Sequence, residues 1–126
     1  LTSLPMISQA AEGNNGTNAT LYWVNISVTG ATADVYMKAN DNLKTSGGDI
    51  LVLANETYSY NTTNSSVPSD VKTSLTTIYT NHLIGSNLGN GALVYLKFFL
   101  SAPSAQPAGT YNNSLTFTVV EYGQSP

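Results

Sequence analysis

Between Leu21 and Val28 apolar and polar positions alternate, with Tyr22, Val24, Ile26 and Val28 on one face and Leu21, Trp23, Asn25 and Ser27 on the other. A period of two is the signature of a half-buried strand. Gly30 ends this stretch, and the period returns over 33–39, where Val35 and Met37 oppose Asp34, Tyr36 and Lys38. Residues 41–48 read as a turn, tightest at Gly47-Gly48. Two more strands are predicted over 49–54 and 56–61, the second placing Tyr58 and Tyr60 on one face, before a polar loop over 61–69. Residues 84–91 read as a Gly/Asn loop, and 93–100 as the most apolar strand, with Val94, Leu96, Phe98 and Leu100 in phase. A Pro/Ala/Gly turn over 103–109 leads to a closing strand over 114–122, with Leu115, Phe117 and Val119 facing in. The single helical candidate is 69–80, where Ser69 or Asp70 stands in a capping position and Val71, Leu75 and Ile78 fall at i, i+4 and i+7. Its threonines leave a strand open as the alternative.

About six strands separated by turn signals predict an all-β body, a β-sandwich of immunoglobulin-like or jelly-roll type. The predicted organisation is a globular domain over 20–126 preceded by a tail over 1–19. Within the tail, 1–11 carries Leu4, Met6 and Ile7 among small residues, and the remainder is a Gly/Asn linker containing Gly13 and Gly16. Pro5 argues against a central strand of the domain's own sheet, but an edge or added strand tolerates it. An ordinary first strand and terminal disorder are the other readings of this segment.

Composition sharpens the picture. Only 9% of the 126 residues are charged, with four lysines and no arginine, and the formal net charge is −3. Without a basic cluster the chain lacks the phosphate-neutralising charge that nucleic-acid binding requires. A fold built with few ion pairs loses little where carboxylates are neutral, so the composition fits an acidic medium. Cysteine is absent, which does not argue against export, because a core of this size suffices without disulfides. The chain begins at Leu1 rather than Met and is read as the processed form of a secreted, cell-surface protein, its signal peptide removed. No membrane span is expected: the longest apolar block, 92–100, is interrupted by Lys97 and is strand-sized.

Asn-X-Ser/Thr, the acceptor for N-glycosylation, occurs at Asn15, Asn18, Asn25, Asn55, Asn61, Asn64 and Asn112. Seven is about twice the number that chance gives from the chain's 14 Asn and 30 Ser plus Thr. Asn in loops also serves turns and caps, so a single site is weak evidence and the set is stronger. Residues 1–11 carry none.

Catalytic chemistry finds little to stand on. His82 is the only histidine and lies beside an Asn/Gly stretch without a nucleophile-elbow context. The spacing of Glu12, Asp34, Asp41, Asp49, Glu56, Asp70 and Glu121 favours no carboxylate pair for glycoside hydrolysis. One histidine and no cysteine make no zinc set. Asp41, Asn42 and Asp49 around Gly47-Gly48 lack the spacing of a calcium loop and read as a solvated turn. Trp23, Tyr58 and Tyr60 would make a sugar-stacking platform if they shared a face; otherwise they are core or cross-strand residues, or an aromatic near Asn25 packs under the chain's own glycan. No enzyme, metal or cofactor is expected, apart from covalent N-linked glycans.

A spare apolar strand ahead of a sandwich has a known physical use, which is to complete the sheet of a neighbour. The segment LTSLPMISQA, the sequon-dense body and the closing PAGTYNNSLTFTVVEYG resemble the subunits of archaeal thread filaments, the glycosylated surface fibres of thermoacidophiles. The resemblance implies head-to-tail assembly with copies of itself by donor-strand complementation, with Leu4, Met6 and Ile7 as donor residues. It also implies glycans on the outside and a role in adhesion or biofilm, with surfaces or neighbouring cells as further partners. A monomeric carbohydrate-binding or adhesive module and a surface-layer module are the alternatives.

Overall fold

The computed structural model describes residues 22–68, 73–76, 78–101 and 103–126. The tail, with Leu4, Met6, Ile7, Asn15 and Asn18, lies outside the described residues. Alternating β-branched, aromatic and polar residues suit a pleated surface with one side buried. Among the described residues they form nine strands: β1 (Tyr22–Asn25), β2 (Ala33–Ala39), β3 (Leu43–Lys44), β4 (Ile50–Leu51), β5 (Glu56–Asn61), β6 (Thr73–Ser74), β7 (His82–Leu88), β8 (Leu93–Leu100) and β9 (Leu115–Glu121).

The strands make an all-β sandwich. One sheet has the order β1-β8-β5-β6, the other β7-β2-β9, and β3 and β4 form a separate hairpin. All pairings are antiparallel. Register sets which side chains go inward. Tyr22 and Val24 stand opposite Leu96 and Val94, and Tyr58 and Tyr60 opposite Phe98 and Leu96. From the second sheet Ala33, Val35, Met37 and Ala39 meet them, none more than 1% exposed. Leu43 and Leu51 of the hairpin join the same core, as do Leu53, Leu75 and Ile84. Tyr111 anchors the approach to β9: its hydroxyl donates to Pro107 O at 2.6 Å and accepts from Gln106 Nε2 at 2.8 Å. A tyrosine tied to backbone a few residues upstream is the corner found in immunoglobulin-like sandwiches.

Three expectations change. Residues 84–91 are not a loop: most of the stretch belongs to β7, where Gly85 pairs with Val35 and Leu88 with Ala33 of β2, and Ser86 and Asn87 between them donate to the Asp34 carboxylate. Register shifts on either side of Val35 break the period of two, so the strand shows no alternation in sequence. The helix expected over 69–80 is absent from the described part of that segment. Thr73 and Ser74 pair with Tyr58 and Thr57, and Thr76 and Tyr79 have φ of 59° and 65°, a left-handed conformation that no right-handed helix accommodates. Leu75 is buried as expected, but Ile78 is exposed and Val71 lies outside the described residues. Finally, the 41–48 turn contains β3, and the strand expected over 49–54 is cut short at Leu51 by a 3-10 turn over Leu53–Asn55. The tight point is where the glycines predict it, with Gly48 at φ +95°.

Candidate strand-acceptor groove

A sandwich closes when every inward-facing side chain finds a partner on the opposite sheet, and at Phe117 and Val119 of β9 that condition is only partly met. Leu115, Phe117 and Val119 stand directly opposite Ala39, Met37 and Val35 of β2 and so share their inward face. Yet Phe117 remains 38% exposed and Val119 46%, while their β2 partners are fully buried. Among the described residues β9 pairs with β2 alone and β1 with β8 alone, so each has a free edge. Between those edges runs an apolar groove of about 280 Å³. Tyr22 and Val24 line one wall, Leu115 and Phe117 the other, Leu96 and Phe98 the floor, and Trp23 borders it. Tyr22 meets Phe98 edge-on at 6.4 Å between ring centres. Backbone N–H and C=O groups on a free edge, beside an uncovered apolar face, form a template for an added strand.

One polar feature enters this wall. Asn113, just ahead of β9, donates from Nδ2 to Glu56 Oε1 at 2.9 Å and to Asp41 O at 3.3 Å. Glu56 is fully buried at an inward position of β5. Burial pushes its carboxyl up to about 7, and the Asn113 hydrogen bond opposes this. Glu56 Oε2 and Asn113 Oδ1 are buried without a hydrogen-bond partner. Asn113 belongs to the set of residues that lines the groove, and a protonated Glu56 carboxyl offers an O–H donor among these atoms. The pair was not foreseen from sequence, although Glu56 falls in phase with Tyr58 and Tyr60, and that phase alone marks it as inward.

The other sequence candidates are dispersed. Asn25 and Asn112 are exposed, Asn55 and Asn61 half-exposed, and Asn64 lies in a 3-10 turn over Asn64–Ser66. The amides of Asn55 and Asn61 donate to Val52 O at 3.2 Å and Ser66 O at 3.3 Å. His82 is on β7, its Nε2 3.1 Å from Leu75 O and its ring 5.5 Å from that of Tyr58. Trp23, Tyr58 and Tyr60 do not share a face: Tyr58 and Tyr60 stack at 6.0 Å on the inner side of β5, while the register of β1 turns Trp23 outward. Asp41 is bound to Lys44 Nζ at 2.8 Å, and Asn42 Oδ1 accepts from Leu53 N at 2.9 Å. Both therefore serve the hairpin, as a solvated turn would. Among the described residues no three of His, Cys, Asp and Glu gather to hold a metal, and no helix is long and apolar enough to cross a membrane. Comparison of the chain with the profiles of protein families, with curated proteins and with solved structures finds no match.

Proposed function

We propose that the chain is the structural subunit of a glycosylated extracellular filament, in which residues 1–11 of one copy enter the groove between β1 and β9 of the next. The observation that carries this reading is the uncovered inward face of β9, apolar and bounded by two free strand edges. An incoming strand turns Leu4 and Met6 to one face, with Ile7 on the other, and that Leu4–Met6 face complements the groove in chemistry. Full burial of each such side chain is worth roughly 1.5–3 kcal/mol, and each ladder hydrogen bond adds about 1 kcal/mol. Because donor and acceptor are different surfaces, the contact is heterologous and propagates into a fibre. Adhesion or biofilm formation is the role such a fibre would serve, with the sequons carrying its outer coat.

The test is deletion of residues 1–12 alongside Phe117→Asp in the full chain, each followed by negative-stain microscopy of material from the cell surface. Both variants lose fibres, and a synthetic peptide of residues 1–12 raises the melting temperature of the truncated chain but not of the Phe117→Asp variant carrying the same deletion. Normal fibres from the truncated chain overturn the proposal.

A further inference from the structure

On β1 the register places Trp23 opposite Tyr95 and Asn25 opposite Leu93, so both point away from the core. Tyr95 in turn stands opposite Asn61 on β5. Trp23 is 61% exposed, and it is the only tryptophan in the chain. A single exposed apolar side chain is unremarkable in itself. What distinguishes this one is its neighbour. Asn25 heads an Asn-Ile-Ser sequon two residues along the same strand, on the same face, at the roughly 6.7 Å that two strand residues span.

Asn25 also differs from Asn55, Asn61 and Asn112. It is exposed, and among the described residues its amide has no hydrogen-bond partner, whereas those of Asn55 and Asn61 are bound to backbone carbonyls and Asn112 has an interaction of its own. An amide nitrogen that must be glycosylated is most accessible where no carbonyl holds it. A pyranose attached there has a face of C–H bonds, and an indole presents a negative π-face to such bonds.

We propose that the N-glycan on Asn25 lies back along β1 with its protein-proximal sugar packed on the Trp23 indole, beside Tyr95. This rests on the sequon reading of the chain and goes beyond it. The sugar turns an exposed aromatic on the outer face into a hydrated surface, which leaves the inward side of β9 as the apolar entrance to the groove. It also ties the outer side of β1, a short edge strand, against its neighbour β8.

Trp23 fluorescence reports on this one residue. The full chain and its Ser27→Ala variant, which removes the sequon without touching Asn25 or Trp23, are purified from the native surface and compared in the same assembly state. Glycopeptide mass spectrometry gives the occupancy of each sequon, and acrylamide quenching gives the accessibility of the indole. The expected result is an occupied Asn25 in the parent, with Ser27→Ala at least doubling the quenching constant and shifting emission to the red. Trimming the glycan to its first sugar keeps the shielding. Equal quenching of the two proteins with Asn25 occupied overturns the platform and leaves glycosylation standing. Asn25 bare while other sequons carry sugar also overturns it, whereas a chain without sugar at any sequon removes the glycoprotein reading as well.

Discussion

Glu56 and Asp34 are buried carboxylates whose surroundings give them opposite responses to pH. Glu56 sits inside the sandwich with its carboxyl raised to about 7 from an ordinary value of 4.5. Between those two values the unfolded chain releases a proton that the folded chain keeps, so stability is full below about pH 4.5 and falls as pH rises toward 7. A shift of this size corresponds to about 3 kcal/mol. Asp34 runs the other way. The Asn87 N–H at 3.0 Å holds its carboxyl below the usual range, helped by the Gly123 N–H and the Ser86 hydroxyl. Its contribution is present above the ordinary aspartate value and is lost as pH falls through the lowered one. Stability is therefore expected to be greatest near the ordinary carboxylate values, where Asp34 is already ionised in both states and Glu56 still protonated in both, and to decline from there toward pH 7. Glu56→Gln should match the parent near pH 4 and exceed it at pH 8 by up to about 3 kcal/mol, as urea denaturation at the two pH values will show. Glu56 thus makes the fold more stable at acidic than at alkaline pH, whatever its setting.

At the level of elements, the two halves of the inner surface are filled to different degrees. Phe98 on β8 is 2% exposed and Phe117 on β9 38%. Truncating a well-packed aromatic leaves a cavity and costs about 3–5 kcal/mol, but one already open to solvent leaves almost none. Phe98→Ala should destabilise the tail-deleted chain by that amount and Phe117→Ala by less than about 2 kcal/mol, compared by chemical denaturation. If the chain assembles as proposed, the ranking should narrow in the fibres, because an incoming strand would cover Phe117 there. β7 depends on a different detail. A Cβ on Gly85 would stand 2.6 Å from Leu88 Cδ1 and 3.1 Å from Val94 Cγ2. Leu88 is half-buried and its Cδ1 is the far end of a flexible side chain, whereas Val94 is fully buried in the opposite sheet. Gly85→Ala should therefore cost about 1–3 kcal/mol by overpacking, read as a lower denaturation midpoint with an unchanged m-value.

For the molecule as a whole, cohesion comes from apolar burial and backbone ladders, and charge contributes little. The ion pair found among the described residues is Lys44–Asp41, with both side chains nearly half exposed. Pairs of that kind contribute roughly 0–1 kcal/mol. Raising NaCl from about 0.01 M to 1 M, which shrinks the screening length from about 30 Å to 3 Å, should move the melting temperature by no more than about 4 °C. Much of this architecture was legible in the sequence. The period of two over 33–39, 56–61 and 93–100 determined three strands almost to the residue, because each is paired on both sides with one face buried, and such strands must alternate. The same period determined that Leu115, Phe117 and Val119 face inward, and that Trp23 and Asn25 share the outer face of β1. Local pattern failed where long-range pairing decided the conformation: β7 is a strand because β2 lies beside its Gly, Ser and Asn, and Thr73–Ser74 is one because β5 does. Nor could pattern place Glu56 against Asn113, 57 positions away in the chain. Sequence alone states that Phe117 points inward. Only the arrangement of the two sheets decides that it stays 38% exposed there, since burial depends on what the opposite layer supplies, and along β9 that layer ends at the free edge of β1.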